Sequence, residues 1–90
     1  MKPRPPWASK YDEPILELLD DSETVLPPAA VEFNLDYKGI ASPAYSTVKR
    51  RMRKLAEHGF LNRVEGKSGY YVISDCGRAY LSGELDADDF

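Results

Sequence analysis

The chain has almost none of the residues that build enzymes, metal centres or covalent staples. One cysteine, Cys76, stands among 90 residues, so no internal disulfide can form. One histidine, His58, beside that one cysteine falls short of a zinc ligand set. There is no Gly-x-Ser-x-Gly elbow or phosphate-cradling glycine loop, and nothing pairs Asp75 with His58 as a catalytic couple. No apolar run approaches the roughly 20 residues of a membrane span, and Met1 to Trp7 lack the apolar region of a signal peptide. No internal repeat occurs. Positive charge is scarce overall, with 12 Lys and Arg against 15 Asp and Glu, a net charge of −3. These absences predict one small cytoplasmic domain that is not an enzyme, with no cofactor, metal, membrane or small-molecule partner.

What is present is a concentration of charge. Residues 38–67 carry eight basic side chains (Lys38, Lys49, Arg50, Arg51, Arg53, Lys54, Arg63 and Lys67) against Glu57 and Glu65, a local net of +6. Residues 1–37 carry three basic against eight acidic, and residues 68–90 one against five. An acidic body with one confined basic patch orients a protein on phosphate better than diffuse positive charge does.

The same stretch has helical periodicity. At about 100° per residue, Tyr45, Val48, Met52 and Leu55 share one narrow apolar stripe. Ser46, Thr47, Arg50, Arg53 and Lys54 lie on the far side, with Lys49 and Arg51 on the flanks. Ser42 as N-cap, Pro43 at the first helical position and Gly59 as the left-handed stop predict a helix over 43–58. His58 then lies beside the negative end of the helix dipole.

Downstream, Leu61 to Val64 alternate as a short strand. Glu65-Gly66-Lys67-Ser68-Gly69 is a turn signal, and Tyr70 to Ile73 are strand formers whose uniform apolarity leaves the register open. Ser74 and Asp75 can cap a last helix over 77–82. Upstream, Ile15, Leu16, Leu18 and Leu19 form an apolar helix that ends at Asp20-Asp21. Pro14 fits its first turn, and Asp12 and Glu13 complement its positive end. Residues 24–26 suit a short strand, and Pro27-Pro28 open a helix over 29–35 with Ala30, Val31 and Phe33 toward the core. The predicted class is α+β, in winged helix-turn-helix order: a three-helix core, a short strand, a two-stranded wing and a C-terminal helix. Residues 1–10 form a proline-rich arm, 11–83 the domain and 84–90 an acidic tail.

The run RKLAEHGFLNRVEGKSGYYVISDCGRAYL resembles winged-helix transcription regulators in general. More narrowly, Trp7, ILELLDD, LPPAAVEFNLDY, RKLAEHGFL and GRAYLSGELDADD resemble the small phage phi-H repressor-like proteins of halophilic archaea, over about residues 7–89. The segment 36–43 is longer than that family shows, which leaves the start of the recognition helix open by a few residues. The resemblance implies a repressor of transcription and a salt-rich host, in which the tail from Glu84 to Phe90 is solvated. At about 1 M salt the Debye length is about 3 Å, so close base contacts, shape fit and dimeric avidity carry more of the binding than long-range steering.

The expected site follows. The basic helix enters the major groove of double-stranded DNA, with Ser46, Thr47 and Arg50 nearest base edges and Ser42 and Tyr45 assisting if the helix starts late. Lys38, Lys49, Arg51, Arg53, Lys54, Arg63 and Lys67 contact phosphates. Trp7, Tyr80, Leu81 and Leu85 are candidates for a homodimer interface, which predicts a palindromic operator. Blander readings stand beside these. A charged helix face can be merely solvated, Lys67 can be ordinary loop polarity, and Lys2 and Arg4 fit a frayed terminus or a groove-entering arm. Cys76 fits a half-buried packing role or a redox sensor. A winged helix can also serve as a protein-interaction module without DNA readout, and RNA binding stays open although no stacking aromatics accompany the basic face.

Overall fold

The computed structural model describes residues 8–64, 66 and 69–83. Its elements run α1 (Asp12–Ser22), α2 (Pro28–Tyr37), α3 (Tyr45–Glu57), β1 (Leu61–Arg63), β2 (Tyr71–Ile73) and α4 (Asp75–Leu81). This is the predicted winged-helix order. The proline-rich arm up to Trp7 and the tail from Glu84 lie outside the described residues.

Helix α1 supplies the centre of the core. Ile15, Leu16, Leu18 and Leu19 are buried, as their apolar run requires, and the helix continues one residue past Asp21 to Ser22. Helix α2 begins at Pro28, a residue with no backbone donor to lose in a first turn, and runs two residues beyond Leu35 to Tyr37. Val31 and Leu35 are buried. Phe33, expected in the core, is 63% exposed and stacks on Tyr37 at 5.8 Å instead. It lies about 200° around the helix from Val31, so both rings face outward. The predicted strand at 24–26 contracts to one bridged residue: Leu26 and Tyr71 exchange backbone hydrogen bonds of 2.9 and 3.1 Å.

Helix α3 starts two residues later than Pro43 would have it. Ala44 occupies the N-cap position without a side-chain cap, and Ser42 Oγ donates to the Asp36 carboxylate at 2.8 Å. Val48, Met52 and Leu55 are fully buried, whereas Tyr45, at the helix's first residue, remains 46% exposed. Gly59 ends the helix at φ +82°, a left-handed turn that glycine takes without steric penalty. Antiparallel pairing of Leu61 with Ile73 and of Arg63 with Tyr71 sets the wing register. Tyr71 and Ile73 therefore point inward and Tyr70 outward.

Helix α4 starts two residues before Gly77. Ser74 caps it, accepting the Gly77 N–H at 3.0 Å while its own hydroxyl donates to the Gly59 carbonyl at 2.6 Å. Tyr80, a dimer-interface candidate, is 4% exposed and stacked on Phe60 at 5.2 Å. It is a core residue of its own chain, and Leu81 packs half-buried at the edge of that core. Trp7 and Leu85, the other two candidates, lie outside the described residues. Cys76 is half-buried against the same core. Among the described residues no helix is long and apolar enough to cross a membrane.

Candidate nucleic-acid interface

Burying Val48, Met52 and Leu55 turns the opposite side of α3 to solvent. Ser46, Lys49, Arg50 and Arg53 are exposed there, and Thr47 and Lys54 are half-buried. Helical spacing divides the face into two rows. Tyr45, Lys49 and Arg53, four residues apart, form the row nearer the wing. Ser46 and Arg50 form the outermost row, about 160–200° from Val48. Glu57 ends this row. It is an exposed carboxylate that the sequence reading counted only as charge.

The wing side has a concave surface. A groove of about 820 Å³ runs between α3, the start of α2 and the wing. Lys49, Arg53 and Arg63 bring three cations to it, with Tyr45 and Tyr71 as walls and Gly66 and Gly69 at the wing end. Gly66 and Gly69 both take φ +81° and hold open space where a side chain would stand. A cationic trough of this shape suits a sugar–phosphate strand, because every phosphate offers acceptors at regular spacing. Lys38 is exposed on the connection from α2 to α3, and Ser42 is exposed with its hydroxyl held by Asp36. Lys67 lies outside the described residues.

Arg51 is corrected from a phosphate contact to an internal anchor. Its guanidinium grips the Asp12 carboxylate in a two-pronged pair, Nε to Oδ1 at 2.8 Å and Nη2 to Oδ2 at 2.7 Å. The two side chains are 13% and 5% exposed. Asp12 also accepts from the Ser9 N–H at 3.0 Å and the Ser9 hydroxyl at 3.2 Å. The physical reason is angular: Arg51 sits at the edge of the apolar stripe, so its side chain turns toward α1 rather than solvent. Hydrogen bonding to Asp12 raises the Arg51 pKa above its ordinary value, outweighing desolvation. Its place at the start of α1 marks Asp12 in the sequence only as a helix-end charge. Thirty-nine residues of separation left no local signal of the pairing.

The family described as winged helix-turn-helix phage repressor matches residues 1–90. The crystal structure of the PhiH1 repressor-like protein from Haloarcula marismortui is similar to this chain. It is 34% identical with a TM-score of 0.81, over 97% of this chain and 91% of that one. The complex structure of hsRosR-S1 is 15% identical with a TM-score of 0.69, over 91% and 81% of the two chains, a likeness of fold. No curated protein sequence matches.

Proposed function

The chain belongs to the winged helix-turn-helix phage repressor family, and on that footing we propose that it represses transcription by occupying a specific double-stranded operator. Family and fold make it a DNA-binding regulator and not an enzyme. The observation that carries the finer reading is the split face of α3. Ser46 and Arg50 project furthest from the core, flanked by cations on the wing side and by Thr47 and Lys54 on the other. A helix in the major groove, about 12 Å wide, places that outermost row at base edges and its flanks near the two phosphate walls. Arg50 can then engage a guanine through two hydrogen bonds, while Ser46 and Thr47 accept or donate to either base type. Lys49, Arg53 and Arg63 hold one strand's phosphates in the wing groove. Lys54 and Lys38 serve the other side, and Lys67 extends the wing contact.

The protein acts in the cytoplasm of a salt-tolerant host, a setting supported by the Haloarcula relative. A homodimer on a palindromic site completes the proposal, with Leu81 the one interface candidate that the described residues leave partly exposed. The test is in vitro selection from random duplex DNA in molar potassium chloride, paired with light scattering. An enriched motif establishes specific readout, and a palindrome within it gives the dimer spacing; folded protein that enriches nothing defeats the operator reading. The second reading, a protein-interaction module without DNA readout, is favoured by one feature, the exposed Phe33–Tyr37 stack on α2. Retention on duplex DNA at moderate salt separates the two.

A further inference from the structure

Apolar attraction is non-directional, so packing alone sets the rotation of a helix less sharply than a directional hydrogen-bonded contact does. Helix α3 rests on the core through a narrow stripe of Val48, Met52 and Leu55. With a helix radius of about 5–6 Å including side chains, a 20° roll moves the outermost atoms by about 2 Å. That exceeds the tolerance of roughly 0.5 Å within which a recognition contact must be held. A directional contact beside the stripe would sharpen the angle at which Ser46 and Arg50 face outward.

We propose that Asp12 and Arg51 form a register latch that fixes the rotation of α3, so that Asp12, remote from the DNA face, is a positioning residue for base readout. The inference rests on the operator reading above. Three observations carry it. The pair is two-pronged, with both nitrogen–oxygen distances under 3 Å, a fork that constrains angle as well as distance. Arg51 immediately follows Arg50, so the latch acts one residue from the base-reading row. Asp12 is itself immobilised, 3% exposed and held on its other side by the Ser9 amide and hydroxyl, so the latch has a fixed post. Stability alone is a poor reason for such a pair, since well-packed apolar replacements of buried ion pairs are often neutral or stabilising. Directional geometry is what such replacements lack.

The test separates rotation from stability. An Asp12→Leu/Arg51→Met double variant exchanges the latch for apolar packing; Arg51→Lys keeps the charge but loses the fork. Each is compared with wild type for melting temperature, affinity for the selected operator and affinity for random duplex across a salt series. The expected result is a folded double variant whose random-duplex affinity and salt slope match wild type, because neither residue touches phosphate. Its operator preference falls about tenfold, the order of one guanine contact. If the double variant does not fold, Arg51→Lys decides by the same ratio. An unchanged operator preference in a folded variant overturns the latch, and so does a reduced salt slope, which would put Arg51 on DNA. Failure of wild type itself to prefer any sequence overturns the operator reading instead, a distinct result.

Discussion

Replacing Gly77 with alanine sets two known effects against each other. Gly77 lies in the first turn of α4, and in an open helix Gly→Ala gains about 1 kcal/mol of helix propensity. Here the added Cβ would collide with the Phe60 backbone carbonyl and stand 2.8 Å from Ile73 Cγ1. Neither neighbour can retreat cheaply. The Phe60 carbonyl accepts the Ser74 N–H at 3.1 Å, and Ile73 is 3% exposed and paired with Leu61 at the inner end of the wing. Overpacking of this kind costs about 1–3 kcal/mol, and loosening a buried hydrogen bond adds about 1–3. Set against the propensity gain, the expected net loss is about 1–5 kcal/mol, with a central value of about 3. For a domain of this size the central value corresponds to a melting temperature roughly 12–24 °C lower. The assay is a far-ultraviolet circular dichroism melt at fixed high salt, with Ala79→Gly as an ordinary helix substitution for comparison. A Gly77→Ala protein that melts at or above wild type would refute the argument, because propensity would then have won and the close approach of α4 to Phe60 would be wrong.

Other predictions concern the DNA face and the core. Arg50→Ala should cost about 1–3 kcal/mol on the selected operator and blur preference at one position, measured by competition with single-base variants; an equal loss on all sequences would reassign it to phosphate. Arg53→Ala and Arg63→Ala should each weaken binding to operator and random duplex alike and lower the slope of log affinity against log salt by about 0.9, read from titrations at several chloride concentrations. Phe33→Ser should change unfolding free energy by no more than about 0.5 kcal/mol, while Leu35→Ala, two residues away and fully buried, should cost about 2–5. Chemical denaturation of the pair checks the placement of α2's outer face.

That last contrast marks the limit of what the sequence made legible. In α3 the apolar residues are few and one-sided, so periodicity picked out Val48, Met52 and Leu55, which are buried, together with Tyr45, which at the helix's first residue stays 46% exposed. In α2 Ala29, Ala30, Val31, Phe33 and Leu35 surround most of the helix. Its period selects no single face, and the largest ring was wrongly assigned inward. The four strand formers Tyr70 to Ile73 likewise carry no alternation; pairing to β1 and the Leu26 bridge decide their facing. Within the basic run composition marked out the candidate interface. It did not separate Arg51 from its neighbours, because a charge turns inward only where a distant carboxylate meets it.

The long-range joins of this fold bear on how it is made. Leu26 is bridged to Tyr71, Asp12 to Arg51, and α1 packs against α4. On a ribosome the basic helix emerges well before Tyr71, Ile73 and Tyr80, which close the core against α1. Until those residues arrive, α3 can already meet α1 and α2, but α1 lacks its cover of β2 and α4 and the groove lacks its complete wing. Non-local closure of this kind comes late and all together. Chains ending within the wing therefore carry most of the cations on an incomplete core and an incomplete groove.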